Sequence, residues 1–168
     1  MPRGLLSRCQ PDSIAEFRAA ARMRYAEGEA LLDAGHRLGA IYLWGYTSEM
    51  IVKAAYFAVS GLREREPITW AGHLKPAIEL GRKMQIAWPH QGAGHNVRAW
   101  AELLIRVRRL SPATAFEPAF AAELQRRGES VDLLWRETLR YHKNSAYLHE
   151  ADRIRDAAQW LLIYQNML

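Results

Sequence analysis

Apolar positions recur along most of the 168-residue chain at the three- and four-residue spacing of α-helices. No segment shows the regular alternation of apolar and polar residues that is typical of a half-buried strand. The pattern therefore predicts an all-α fold. We expect a single-domain bundle of about five to seven helices over residues 1–168, with a loosely ordered N-terminus at residues 1–11.

Two long helices are predicted first. Ser13, followed three residues later by Glu16, fits a capping box at the start of the first helix, and Gly35 ends that helix. The second helix covers residues 37–61, ends at Gly61 and is apolar on nearly every face. Because a helix that is apolar all round is normally buried, we expect it at the centre of the bundle, in an antiparallel hairpin with the first.

The rest of the chain predicts shorter helices separated by Gly- and Pro-containing breaks. The last one ends in "WLLIYQNML", which is apolar on all faces and is typical of a core or of a dimer contact. The expected ranges are 75–83, 96–110, 117–127 (ended by Gly128), 130–143, and 147 to the terminus.

Charge and composition narrow the functional classes only partly. The net charge is +5, and 19 of the 23 basic residues are arginine, which suits bidentate contact with phosphate but also fits plain solubility. The lone Cys9 excludes an intrachain disulfide. No apolar run approaches the ~18 residues of a membrane span, so the sequence predicts a cytoplasmic protein without a membrane partner.

Glu49 and Lys53 are the first candidates for a site. They lie one turn apart on the helix that is predicted to be buried, in the favourable order for an ion pair. Buried charges are normally paired, so one interpretation is a self-satisfied pair at a helix edge. The other is that this face opens on a cleft and that both residues contribute to binding.

The segment "GYTSEMIVKAAYFAVSG" (45–61) resembles the second helix of HEPN domains, in which small residues, a Glu and a Lys recur in this pattern. The later "RYHKNSAYLHEADRIRDAAQWLL" (140–162) and the chain length are similar to that style of bundle. The resemblance implies a HEPN-like fold and a homodimer. Many HEPN domains are metal-independent RNases, and others serve as binding or accessory modules.

The resemblance also implies an active-site motif, in which an Arg is followed by four to six residues and then a His. The match here is Arg136 and His142. It implies that His142 is the acid or base and that Arg136 or Arg140 stabilises phosphate charge, with Tyr141 and Lys143 as binding residues. Two positions differ from the family pattern: Glu137, where Asn, Asp or His is usual, and Asn144, where some members have Tyr.

Helical geometry separates these residues into two faces. At about 100° per residue, His142 falls on the apolar face with Trp135 and Thr138. Arg136, Arg140 and Lys143 instead form a basic stripe, which can join Arg106, Arg108 and Arg109 in a phosphate-binding patch or remain a solvated face. Arg136 and His142 would then meet only across a dimer contact or if the helix broke early, and the expected break at residues 144–145 comes after His142.

The sequence predicts no metal and no cofactor. His142, His149 and Glu150 lack the i,i+4 pairing of a helical zinc motif. His90 and His95 lie in a Gly-rich loop with no carboxylate nearby in the chain.

Two functional interpretations remain open. The basic stripe favours a HEPN-like domain that binds RNA or a nucleotide, with metal-independent endoribonuclease activity as the further expectation. An inward-facing His142 favours a catalytically inactive homodimeric module, such as an adaptor or the partner of a toxin.

Overall fold

The computed structural model describes residues 9–89, 93–143 and 145–168. Within these ranges it contains six α-helices and no β-strand, which confirms the predicted all-α bundle. The predicted loose N-terminus lies mostly outside the described residues, as do His90 and Asn144. The helices are α1 (Ile14–Asp33), α2 (Arg37–Val59), α3 (Lys75–Lys83), α4 (Val97–Arg108), α5 (Pro118–Leu134) and α6 (Leu148–Tyr164).

Helix α2 occupies the centre, as its apolar composition predicts. It packs against α1, α4 and α6, and 14 of its 23 residues are buried. Gly35 and Gly61 follow α1 and α2 with φ angles of 81° and 86°, the left-handed conformation that ends helices. At the start of α1 the hydroxyl of Ser13 accepts a hydrogen bond from the Glu16 amide at 3.2 Å. No helix in the described part of the chain combines the length and hydropathy needed to cross a bilayer.

The predicted break at Gly128 is wrong, because α5 runs through it without interruption. A Cβ atom added at Gly128 would lie 3.1 Å from the Ala101 side chain and 3.3 Å from the Arg98 backbone. The glycine therefore lets α4 and α5 approach closely. The absence of a side chain serves helix packing here and does not end a helix.

The predicted helix over 130–143 is also wrong, because α5 ends at Leu134 and Trp135 has an extended backbone. The Trp135 indole is buried against α2, where its Nε1 donates to the carbonyl of Tyr42 at 3.0 Å. A Cβ atom at Gly45 would lie 2.0 Å from the Trp135 ring, so the ring rests directly on the α2 backbone. The chain then forms a short 3₁₀ turn, Glu137–Tyr141, which continues past this anchor.

Replacing Gly45 with Ala should strongly destabilise the protein, because the new methyl group occupies the position of the Trp135 ring. We expect the free energy of unfolding to fall by about 3 kcal/mol or more, at the upper end of overpacking effects. Chemical denaturation of Gly45→Ala against the wild type measures this loss.

Gly39→Ala is the matched control in the same helix. Its Cβ would lie 3.0 Å from the end of the flexible Leu31 side chain and at an ordinary 3.9 Å from the His36 Cβ, and alanine is the better helix former. The change there should stay within about 1 kcal/mol. A similarly small effect at Gly45 would contradict the proposed close packing of Trp135 on α2.

Candidate functional site

Glu49 and Lys53 form an ion pair in the interior of the bundle. Their exposed fractions are 4% and 6%, and Oε1 of Glu49 accepts a hydrogen bond from the Lys53 ammonium group. The ammonium nitrogen also lies 5.4 Å from the centre of the Trp100 ring, within range of a cation–π interaction. The ion pair that the one-turn spacing predicts is therefore present and buried.

The second carboxylate oxygen of Glu49 contacts His95. Nδ1 of His95 lies 2.9 Å from Oε2 of Glu49, and 39% of the His95 side chain is exposed. The expectation that His95 has no carboxylate partner is wrong, because that partner lies 46 residues away in the chain. Glu49 thus links a buried cation on one side to a surface imidazole on the other.

The position of His95 is fixed by the backbone on both sides of it. It ends the 3₁₀ turn Ala93–His95, and the carbonyl of Gly94 accepts a hydrogen bond from the Trp100 indole at 3.1 Å. The next residue, Asn96, caps α4 by accepting from the Ala99 amide at 2.7 Å. The Tyr46 ring packs edge-on against the imidazole, with 6.1 Å between ring centres.

The exposed side of His95 borders a cavity of about 390 Å³, within the size range of small-molecule sites. Four side chains that can carry charge line it, and an apolar wall precedes them in the chain. The lining residues are Ala87, Trp88, Pro89, His95, Asn96, Arg98, Arg136 and Glu137.

Two guanidinium groups contribute to this cavity in different ways. Nε of Arg98 is buried and has no hydrogen-bond partner among the described residues. The Arg136 side chain is 54% exposed, donates to the Trp135 carbonyl at 2.7 Å and lies 3.3 Å from a carboxylate oxygen of Asp132. Asp132 also accepts from the Asn96 side chain at 2.7 Å, which connects Arg136 to the cap of α4.

The hydrogen bond that the Glu49 carboxylate accepts from the His95 ring raises the pKa of His95 above its usual value. Partial burial and the nearby Lys53 charge act in the opposite direction, whereas the Glu137 carboxylate adds to the increase. The net effect favours the imidazolium form more than in a free histidine. A ring that gains a proton easily and faces a cavity can bind an anion or transfer a proton.

Arg136 and His142 do not line the same cavity. His142 and Arg140 border a second space of about 250 Å³, together with Tyr42 and the start of α2. His142 is exposed, so its predicted inward position beside Trp135 is wrong. The reason is the early end of α5, which removes the helical periodicity on which that prediction rests.

The predicted basic stripe is also absent as a single helical face. Arg136 borders the first cavity, whereas the Arg140 guanidinium lies 4.7 Å from the centre of the exposed Tyr141 ring. Lys143 is exposed beyond the 3₁₀ turn. Of the residues expected to extend the stripe, Arg108 instead donates to the carbonyls of Thr114, Met167 and Leu168.

Among residues 9–89, 93–143 and 145–168, no group of three or more His, Cys, Asp or Glu side chains is arranged to hold a metal ion. The chain matches no protein-family model, no curated protein and no solved structure. The case for a function therefore rests on the geometry around His95.

Replacing Glu49 with Ala should cost about 3–5 kcal/mol of unfolding free energy, because it leaves Lys53 buried without its partner. Thermal or chemical denaturation of the variant measures this loss.

Glu102→Ala is the matched control, since Glu102 makes the same i,i+4 pair with Arg106 but at 25% and 40% exposure. Its loss should stay near the ~0–1 kcal/mol of a surface pair. Equal losses in the two variants would show that burial of the Glu49 pair carries no special energetic weight.

Proposed function

We propose that the cavity beside His95 binds a phosphate group of RNA or of a nucleotide, and that His95 acts there as a general acid or base in metal-independent RNA cleavage. The observation that supports this most is that a buried carboxylate contacts one nitrogen of an imidazole whose ring borders a cavity with two guanidinium groups. A base oriented by a third group is the usual arrangement for proton transfer in enzymes.

The charges around the cavity suit a phosphate. Guanidinium groups bind phosphate oxygens through paired N–H donors, and Arg98 has a buried N–H group without a partner among the described residues. Arg136 is held by the Trp135 carbonyl and by Asp132, so part of its guanidinium is already oriented. Once His95 has taken up a proton, it adds a third positive charge.

The cleavage step in this proposal uses only groups of the chain and of RNA. Nε2 of His95, the ring nitrogen that Glu49 does not contact, takes the proton of the 2′-hydroxyl group. The 2′-oxygen then forms a bond to phosphorus, and the bond from phosphorus to the 5′-oxygen breaks. The 5′-oxygen takes a proton from solvent, and His95 later returns its proton to solvent. Arg98 and Arg136 stabilise the charge that develops on the phosphate oxygens.

The resemblance of residues 45–61 to the second helix of HEPN domains supports the same proposal, because Glu49 and Lys53 carry that resemblance and Glu49 contacts His95. RNA as a partner also fits the cytoplasmic location that the single cysteine favours. A homodimer is part of the proposal as well, supported by the exposed apolar side chains of Ile163 and Met167 near the C-terminus. The catalytic role expected for His142 stays a prediction, and the test below includes it.

One observation favours the non-enzymatic module instead. Three large side chains at the end of the 3₁₀ turn and the start of α6 are more than half exposed: Tyr141 at 73%, Tyr147 at 66% and Leu148 at 51%. Two of the three are aromatic, and exposed aromatic side chains are common at protein–protein contacts. In this second proposal the chain binds a partner protein through that surface, and His95 has no catalytic part.

Incubating RNA with the wild-type protein in the presence of EDTA should give cleavage, and His95→Ala should reduce the rate by about 10²–10⁴-fold, the usual contribution of a general acid or base. Gel analysis of a labelled oligonucleotide measures the rate. The logarithm of the RNA-binding constant of the wild type should fall linearly as the logarithm of the salt concentration rises.

His142→Ala is the matched control, because it removes an exposed imidazole that borders the other cavity. Retained cleavage in this variant supports His95 as the active group. Loss of cleavage with His142→Ala and not with His95→Ala would return the catalytic role to His142. If the wild type showed no cleavage and no salt-dependent RNA binding, the result would favour the interaction module.

A further inference from the structure

The side chains that line the cavity include one carboxylate, among groups that can carry positive charge. Glu137 lines it together with His95, Arg98 and Arg136, and it is near enough to contribute to the raised pKa of His95. Glu137 forms no hydrogen bond or ion pair with another side chain in the part of the chain that the structure describes. The Glu137 side chain is partly exposed at the cavity, so its carboxylate can reach a ligand there. The other charged groups of the site suit an anion.

A carboxylate is a poor neighbour for phosphate alone. It accepts hydrogen bonds but donates none when ionised, so it repels a phosphate oxygen and attracts N–H groups. A ligand that satisfies all four charged side chains must carry an anionic group and, beside it, a group rich in N–H donors. Nucleotides differ from one another in this second respect, because their bases present different donors and acceptors.

We propose that Glu137 is a specificity-determining residue that selects guanine as the base accompanying the bound phosphate. Guanine presents two parallel N–H donors, N1–H and N2–H, on one edge, which match the two oxygens of a carboxylate. Adenine and cytosine each present one amino group beside an unprotonated ring nitrogen, and uracil presents one N–H donor between two carbonyl oxygens. In each of these three bases the carboxylate meets an acceptor where guanine offers a second donor. The inference rests on the proposed function and adds the class of base.

The apolar side of the cavity fits the same ligand. Ala87, Trp88 and Pro89 line the apolar side of the cavity. Trp88 is only 7% exposed and its ring packs edge-on against Trp100, so the exposed Ala87 and Pro89 offer most of the open apolar surface. A planar base can lie against such a surface while its donor edge meets a carboxylate and its phosphate meets guanidinium groups. Glu137 and Arg136 are adjacent in the chain, so base and phosphate would be held by neighbouring residues at the start of one turn.

Glu137→Gln separates this role from a purely electrostatic one. The amide keeps the size of the side chain but removes its charge and replaces one acceptor oxygen with a donor. The variant should therefore lose the preference for guanine while it keeps or improves the binding of inorganic phosphate. If Glu137 acted only by tuning His95, the substitution would change the pH dependence of binding and leave the base preference intact.

The test is calorimetric titration of the full chain at pH 7 with inorganic phosphate, GMP and UMP. The wild type should bind GMP about 10- to 100-fold more tightly than UMP, the range expected of a good bidentate pair. In Glu137→Gln the ratio should fall close to one. The matched control is Glu79→Gln, an exposed carboxylate on α3 that does not line the cavity, and it should keep the wild-type ratio.

The outcomes distinguish this inference from the function on which it rests. Binding of both nucleotides with equal affinity by the wild type, or an unchanged ratio in Glu137→Gln, would overturn the guanine inference and leave the phosphate site standing. Absence of binding of phosphate and of both nucleotides would overturn both. Comparing GMP with the dinucleotides GpU and UpU shows whether the guanine belongs to a free nucleotide or to an RNA chain.

Discussion

The carboxylate of Glu49 is the group on which the rest of the site depends. One oxygen neutralises Lys53 in the core, and the other contacts His95 at the edge of a cavity. A buried charge is tolerated only when it is paired and hydrogen-bonded, so the pair in the core also constrains the loop that carries His95. The stability of the core and the orientation of the His95 imidazole therefore both depend on the Glu49 side chain.

The second constraint is the contact of Trp135 with the α2 backbone at Gly45. It ends α5 and turns the chain, so that Arg136 and Glu137 follow the anchor and line the cavity that His95 borders. A continuous helix would have placed these side chains on its own periodic faces. One side of the cavity is thus positioned by the Glu49–Lys53 pair of α2, through His95. The other side is positioned by the Trp135 ring, which packs on the α2 backbone.

These two contacts also explain which features could be predicted from the sequence. Helix α2 and its ends follow from local signals, namely an apolar run and the glycines Gly35 and Gly61. The i,i+4 pair within α2 follows from spacing alone. The early end of α5 does not, because it depends on Trp135 finding a glycine 90 residues earlier in the chain. The role of His95 could not be predicted for the same reason, because its carboxylate partner is 46 residues away in the chain. The one indication in the sequence was that the Glu49 face of α2 could open on a cleft.

The most direct test of the account is the pKa of His95, measured by NMR titration of the imidazole resonances in the wild type and in Glu49→Gln. The wild-type ring should titrate above the usual value of about 6.5, because the Glu49 carboxylate favours its protonated form. Removing that charge should bring the pKa of His95 down. A wild-type pKa at or below 6.5, or one that Glu49→Gln leaves unchanged, would contradict the central role of Glu49.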